Sequence, residues 1–368
     1  MSPDRQFRLE LACIVSSLPY RRSFFQRGGF RSLGSNLERW SQHLERIFGI
    51  HRIRNGLEAF RELLQDPDFK TWSAYISVHF VTEASYPSTL LHIFDPPGVI
   101  WVRYPEKIHS VNSHPDRSNG PSQDKYPVEA NSRNANSQAM NLVSSAAIPW
   151  QRNAIAVIGT RNPEPVSVIA TERFVKWAGQ SSNIVSGLAL GIDAVAHRSA
   201  LAMGGLTMAV LGAGVLRPGP AENSPIWKRP GAGQIYLLSE FLPNTPARSY
   251  HFPRRNRIIA GLAGTIALMQ APKKSGALIS AAFALEEGRD LLVFDHPLLQ
   301  KPGANEGGRD LLQQGAMDMN SLMEILPERN LHTRPSGPVN TEYEIWLRKS
   351  YSEGKLRSLG QGWLFYED

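Results

Sequence analysis

The chain has 368 residues, with 40 Lys plus Arg against 33 Asp plus Glu, a formal charge of +7 and 42% hydrophobic residues. This length and apolar content exclude a wholly disordered chain and allow two or three domains, while a charged fraction of only 20% excludes a polycationic tail. The charge leaves nucleic acid, nucleotide and anionic membrane as partner classes; the single cysteine, Cys13, excludes an internal disulfide framework and a cysteine-rich zinc site and points to a reducing, cytoplasmic setting.

In chain order, residues 1–75 read as a small helical accessory domain. The run Leu11–Val15 lies against Glu10 and precedes no small-residue cleavage site, so it reads as an amphipathic helix rather than a secretion signal. Apolar residues recur at helical spacing from Leu37 to Phe48 and from Leu57 to Leu64, and Arg21, Arg22, Arg27 and Arg31 lend the module a basic character. Residues 76–104 form a lead-in segment holding the strand-like Val99–Val102. From 105 to 150 Ser, Asn, Pro, Gln and Asp dominate and no apolar period persists, so a flexible polar linker is expected. The longest weakly polar stretch, Ile258–Pro272, is shorter than the ~20 residues a membrane span needs.

Residues 151–328 change texture again. Short apolar runs at Ala154–Ile158, Ile184–Val185, Met208–Leu211, Ile235–Leu238, Thr265–Met269 and Leu291–Phe294 alternate with helix-length segments. Continuous apolar strands separated by helices are the pattern of a sheet covered on both faces, so the expectation is an α/β fold with a Rossmann-like, doubly wound, mainly parallel sheet. Residues 329–368 form a short C-terminal extension.

In such a sheet, ligands bind where strands end and loops lead into helices. Small and cationic residues collect there: Gly159-Thr160-Arg161, Ser186-Gly187 through Asp193, Gly212-Ala213-Gly214, and Lys273-Lys274-Ser275-Gly276. Glycines admit a phosphate to the backbone and the cations neutralise it, so these loops make a candidate anion site. A dinucleotide fingerprint and a lysine-containing phosphate loop are both absent, and no cofactor or metal is expected. The densest cationic run is Phe252-Pro253-Arg254-Arg255-Asn256-Arg257. Its three arginines are expected to fan around the solvent side of a helix start, where they could hold phosphate or pair with carboxylates such as Glu240. Asp193 and His197 share a helix face, which suits a metal, an acid–base pair, or a buried histidine bonded to a neighbour.

Taken together, Gly159-Thr160-Arg161, Ser186-Gly187-Leu188-Ala189-x-Gly191-Ile192-Asp193, Phe252-Pro253-x-Arg255-Asn256-Arg257-Ile258-Ile259, Ser275-Gly276-Ala277-Leu278-Ile279 and Glu287-Gly288-Arg289 resemble the bacterial DNA-processing protein A family (DprA, or Smf) in order and spacing. The resemblance covers about 152–320 and implies a non-enzymatic mediator. Such a protein binds and protects single-stranded DNA, forms homodimers and loads the RecA recombinase during natural transformation and recombination. It carries a DNA phosphate-binding role onto Gly159, Thr160, Arg161, Ser186, Gly187, Asn223, Arg255, Arg257, Lys274, Ser275 and Gly276. The chain departs from the family pattern at Leu190, Gly219 and Gln270. The alternative is a nucleoside monophosphate hydrolase on a related Rossmann-like sheet.

Overall fold

The computed structural model describes residues 2–18, 37–81, 83–105, 150, 153–228, 233–299, 301–319, 357–358 and 364–365. The expected polar linker at 105–150 and the C-terminal extension at 329–368 lie almost wholly outside them, as do Arg21, Arg22, Arg27 and Arg31. Two compact units are formed, one from residues 1–151, 208–219 and 234–255, the other from 152–207, 220–233 and 256–368.

Among the described residues the first unit opens with four helices: α1 (Pro3–Ser17), α2 (Leu37–Phe48), α3 (Ile50–Gln65) and α4 (Pro67–Trp72). Ser2 caps α1 by accepting from the Arg5 N–H, and Asp66 caps α4 by accepting from the N–H groups of Asp68 and Phe69. Both α1 and α4 have proline at their first position, where the missing N–H costs nothing. Helix α1 packs on α3, and Gly56 sits so close to the Ile14 backbone that a Cβ would lie 2.5 Å from its Cα. Strands β1 (Ile76–Phe80) and β2 (Val99–Arg103) follow. The sequence reading anticipated β2 but not β1, whose polar Ser77 and His79 interrupt its apolar residues. With β5 (Leu206–Val210) and β6 (Gln234–Ser239) they are ordered β1-β2-β6-β5, and both β1/β2 and β2/β6 run antiparallel.

The second unit holds β3 (Ala154–Ile158), β4 (Asn183–Ser186), β7 (Thr265–Leu268), β8 (Asp290–Val293) and β9 (Met317–Asp318), ordered β4-β3-β7-β8-β9. Every pair in this series, β3/β4, β3/β7, β7/β8 and β8/β9, is parallel. Helices α5 (Pro165–Ala178) and α6 (Ile192–Ala202) pack together over Val157, Ile184, Ala267 and Leu292. On these strands Ala156, Ile158, Val185, Ile266, Leu268, Leu291 and Val293 are also buried. Helix α9 (Ala277–Glu286) packs on β7 and β8. The connection β3-α5-β4 moves one way along the sheet and β7-α9-β8 the other. Right-handed crossovers therefore place their helices on opposite faces. The result is the doubly wound, Rossmann-like α/β sheet that the alternating sequence predicts. Between its two connecting helices lie the short α7 (Ser224–Lys228) and α8 (His251–Leu262), and α10 (Glu306–Gln313) follows β8.

Candidate anion site at the topological switch point

Strand order reverses between β3 and β7, the place at which open parallel sheets generally bind ligands. The sequence places Gly159-Thr160-Arg161 after β3 and Lys273-Lys274-Ser275-Gly276 after β7. The two loops are held side by side, because the Thr160 N–H donates to the Gln270 carbonyl at 2.8 Å. Gly159 is required here by packing, since a Cβ would come within 2.6 Å of the Ile192 side chain. Arg161, Lys273 and Lys274 are exposed, and Lys273 lies 3.8 Å from the Glu306 carboxylate. Beyond them the Ser275 hydroxyl accepts from the Ala277 N–H at the start of α9, and Gly276 has open space where a side chain would be.

The loop after β4 is fixed from several sides. Gly187 and Ala189 both donate their N–H groups to Asp193 Oδ2, at 3.1 and 3.3 Å. Asn223 Nδ2 donates to the carbonyls of Leu188 and Ala189, each at 3.0 Å. Between these restraints Leu188, fully buried, has φ +62°, the one positive value outside glycine among the described residues. Gly191 has φ +75°, and a Cβ there would lie 2.4 Å from the Thr160 carbonyl oxygen. The Ile192 N–H then donates to that same carbonyl at 3.2 Å. The β4–α6 loop is thereby pressed on the backbone of Thr160 and Arg161.

These contacts sort the candidate residues. Thr160, Arg161, Lys274, Ser275 and Gly276 lie on the two loops at the switch point. Ser186 and Gly187 border them, but the Ser186 hydroxyl donates to the Val157 carbonyl at 2.6 Å and the Gly187 N–H is taken by Asp193. Asn223, 3% exposed, spends both amide hydrogens on the loop carbonyls.

The arginine fan is corrected. Only Arg254 faces solvent, and it pairs with Glu240 at 2.8 Å; Arg255 and Arg257 are each 4% exposed. Arg255 shares its helical stripe with Ile258, Ile259 and Leu262, and its guanidinium donates to the Val210 carbonyl. Arg257 falls in a helix buried on every side beyond its first turn. Arg217 pairs with the helix-capping Asp66 and with Asp68. Gly212 and Gly214 answer to packing, since Cβ atoms would meet the Phe252 ring and the Leu242 and Pro243 carbonyls.

Asp193 accepts from the β4–α6 loop, and His197 turns to Thr207. His197, fully buried, meets Thr207 Oγ1 at 2.7 Å; that hydroxyl gives its hydrogen to the Ile184 carbonyl, which leaves His197 Nδ1 as the donor. Among the described residues no group of His, Cys, Asp and Glu could hold a metal ion, and no helix is long and apolar enough to cross a membrane. Two residues escaped the sequence reading as site supports. Gln270 accepts from the Glu164 N–H and donates to the Ala304 carbonyl, and Asn305 Oδ1 accepts from the Ala271 N–H. Side-chain amides bracing loop backbone leave no periodic signal in a sequence.

Comparison with known proteins agrees with this architecture. A model of the family DNA recombination-mediator protein A matches residues 120–330. The chain is 37% identical over 174 residues to the DNA processing protein DprA of Streptococcus pneumoniae, covering 47% of this chain and 61% of that protein. It is 39% identical over 172 residues to the protein Smf of Escherichia coli, covering 45% and 44%. The matched part thus spans between about two fifths and two thirds of these relatives. The X-ray structure of DNA processing protein A from Streptococcus pneumoniae superposes with a TM-score of 0.59 at 25% identity, covering 84% of this chain and 94% of that one.

Proposed function

Because the chain belongs to the DNA recombination-mediator protein A family, we propose that it binds single-stranded DNA through the switch-point loops and hands the strand to the RecA recombinase. One observation carries this reading: the loop bearing Arg161 and the loop bearing Lys274, Ser275 and Gly276 are joined backbone to backbone at the carboxyl ends of adjacent parallel strands. Exposed cations beside glycine and serine backbone suit a phosphodiester, whose oxygens accept from guanidinium, ammonium and N–H groups alike. The loops read backbone rather than sequence, so binding should be tolerant of base identity and strongly salt-dependent.

In this reading Arg161 and Lys274 contact phosphate, with the Thr160 and Ser275 hydroxyls and the open backbone at Gly276 beside them. Ser186, Gly187, Asn223, Arg255 and Arg257 act by holding loops and helix in place. The protein acts without catalysis, as a homodimer in the cytoplasm. Two measurements test this. Labelled oligo-dT should bind more tightly than duplex of equal length, and the protein should restore RecA-driven strand exchange on DNA pre-coated with single-strand-binding protein. Equal affinity for duplex and single strand would contradict the first part, and unchanged strand exchange the second.

A further inference from the structure

The loop that precedes α8 presents an aromatic ring to solvent. Tyr250 is 61% exposed, more than any other aromatic side chain among the described residues, and the neighbouring Pro246, Ala247, Arg248 and Ser249 are exposed as well. By contrast Tyr86, Tyr104 and Tyr236 are all buried.

Exposure alone means little, but this ring is braced. The backbone turns back at Tyr250, with the His251 N–H donating to the Arg248 carbonyl at 3.0 Å. Behind the turn, Gly214 donates to the Thr245 carbonyl and Leu216 to the Pro243 carbonyl, both at 2.8 Å. The Tyr250 ring stands edge-on to His251, with centroids 4.6 Å apart and planes at 78°. His251 is itself stacked on Phe241 at 4.1 Å and bonded to the Gly212 carbonyl at 3.1 Å. Burial and the cations Arg248 and Arg254 push the His251 imidazole below its ordinary pKa, against the opposing pull of its bond to Gly212 and of Glu240. From the other side Arg248 donates to the Tyr250 hydroxyl at 3.0 Å. Tyr250 is thus held through its ring contact with His251 and through its hydroxyl while staying 61% exposed, which leaves a pre-oriented π-surface beside a guanidinium.

We propose that Tyr250 and Arg248 form a platform on which one unstacked nucleobase lies, with Arg248 beside the adjoining phosphate. This rests on the single-stranded-DNA reading and adds to it a contact with a base. Stacking on an aromatic ring is tolerant of sequence and nearly independent of salt, whereas a phosphate contact weakens as salt rises. A ring already held in place loses little freedom on binding.

The test compares oligo-dT with an abasic oligonucleotide of the same length, across a salt series. Tyr250→Ala should weaken oligo-dT binding about tenfold with an unchanged salt slope, and should leave abasic binding as it was. Tyr250→Trp should retain wild-type affinity, and Arg248→Ala should make the log–log salt slope shallower by about 0.7. Wild-type binding of oligo-dT that Tyr250→Ala does not alter would overturn the platform alone. Failure of the wild type to bind oligo-dT at all would overturn the single-stranded-DNA reading and the platform with it.

Discussion

A leucine in the left-handed region costs about 1–2 kcal/mol, so Leu188 keeps φ +62° only because its surroundings require it. Asn223 is the clearest of those requirements, since its amide satisfies two loop carbonyls at once. If its role is to hold the loop, Asn223→Ala should destabilise the DNA-free protein by about 1–3 kcal/mol, the usual cost of leaving buried acceptors without donors. Asn223→Asp should cost more, because a carboxylate would face two carbonyl oxygens. Urea unfolding without DNA measures both. An unchanged stability would show instead that Asn223 is kept for contact with the ligand. The sequence could flag Asn223 only through a family resemblance, which says that a residue matters without saying whether it touches DNA. In the structure the Asn223 amide is committed to the loop carbonyls and the Ser186 hydroxyl to Val157.

At the scale of elements, β1 carries a polar cluster the sequence did not advertise. The His79 imidazole lies between Ser77 Oγ at 2.8 Å and Ser85 Oγ at 3.0 Å, with the Trp150 ring edge-on at 5.0 Å. Burial pushes its pKa down to about 4, helped by Arg8 and opposed by Glu83. The folded protein therefore keeps His79 neutral at a pH where the unfolded chain, with an ordinary value of 6.5, has taken up a proton. Stability should fall as pH drops from about 6.5 towards 4, by about 3 kcal/mol from this group. His79→Gln should remove that share, making the acid limb of urea unfolding stability shallower by up to one proton. An identical acid limb in the variant would mean that His79 ionises freely in the folded state. What was legible in the sequence at this scale was periodicity. The strands β3 to β8 were found because each is a continuous apolar run, and α5, α6 and α9 because they fill the intervals. Strand β1 was missed because Ser77 and His79 turn towards polar partners, and α10 because Gly307 and Gly308 open it: a Cβ at Gly307 would meet the Leu278 side chain, and one at Gly308 the Asn305 amide.

For the whole molecule, the excess of +7 charges says less than their placement. Arg8 pairs with Glu83, Arg217 with Asp66 and Asp68, Arg254 with Glu240, and Arg309 with Asp295, while Arg255 and Arg257 are buried. Those arginines serve the fold. A helix-start cluster of three looked on sequence like the strongest cationic surface, yet two of its members are buried within α8. That outcome could not be read from spacing alone, because a helix buried all round leaves arginine no outward face. Arg161 and Lys274 are exposed on the two loops that flank the reversal of strand order.

The central claim is that this pair of loops holds the phosphates of single-stranded DNA, and the most direct test is fluorescence anisotropy of labelled oligo-dT titrated across a salt series with wild type and Arg161→Ala. Affinity for the wild type should fall with salt with a log–log slope of about −0.7 for each phosphate neutralised, and the variant should bind more weakly with a slope shallower by about 0.7. The same affinity and the same slope in the variant would place the phosphate contacts elsewhere on the molecule and contradict the assignment.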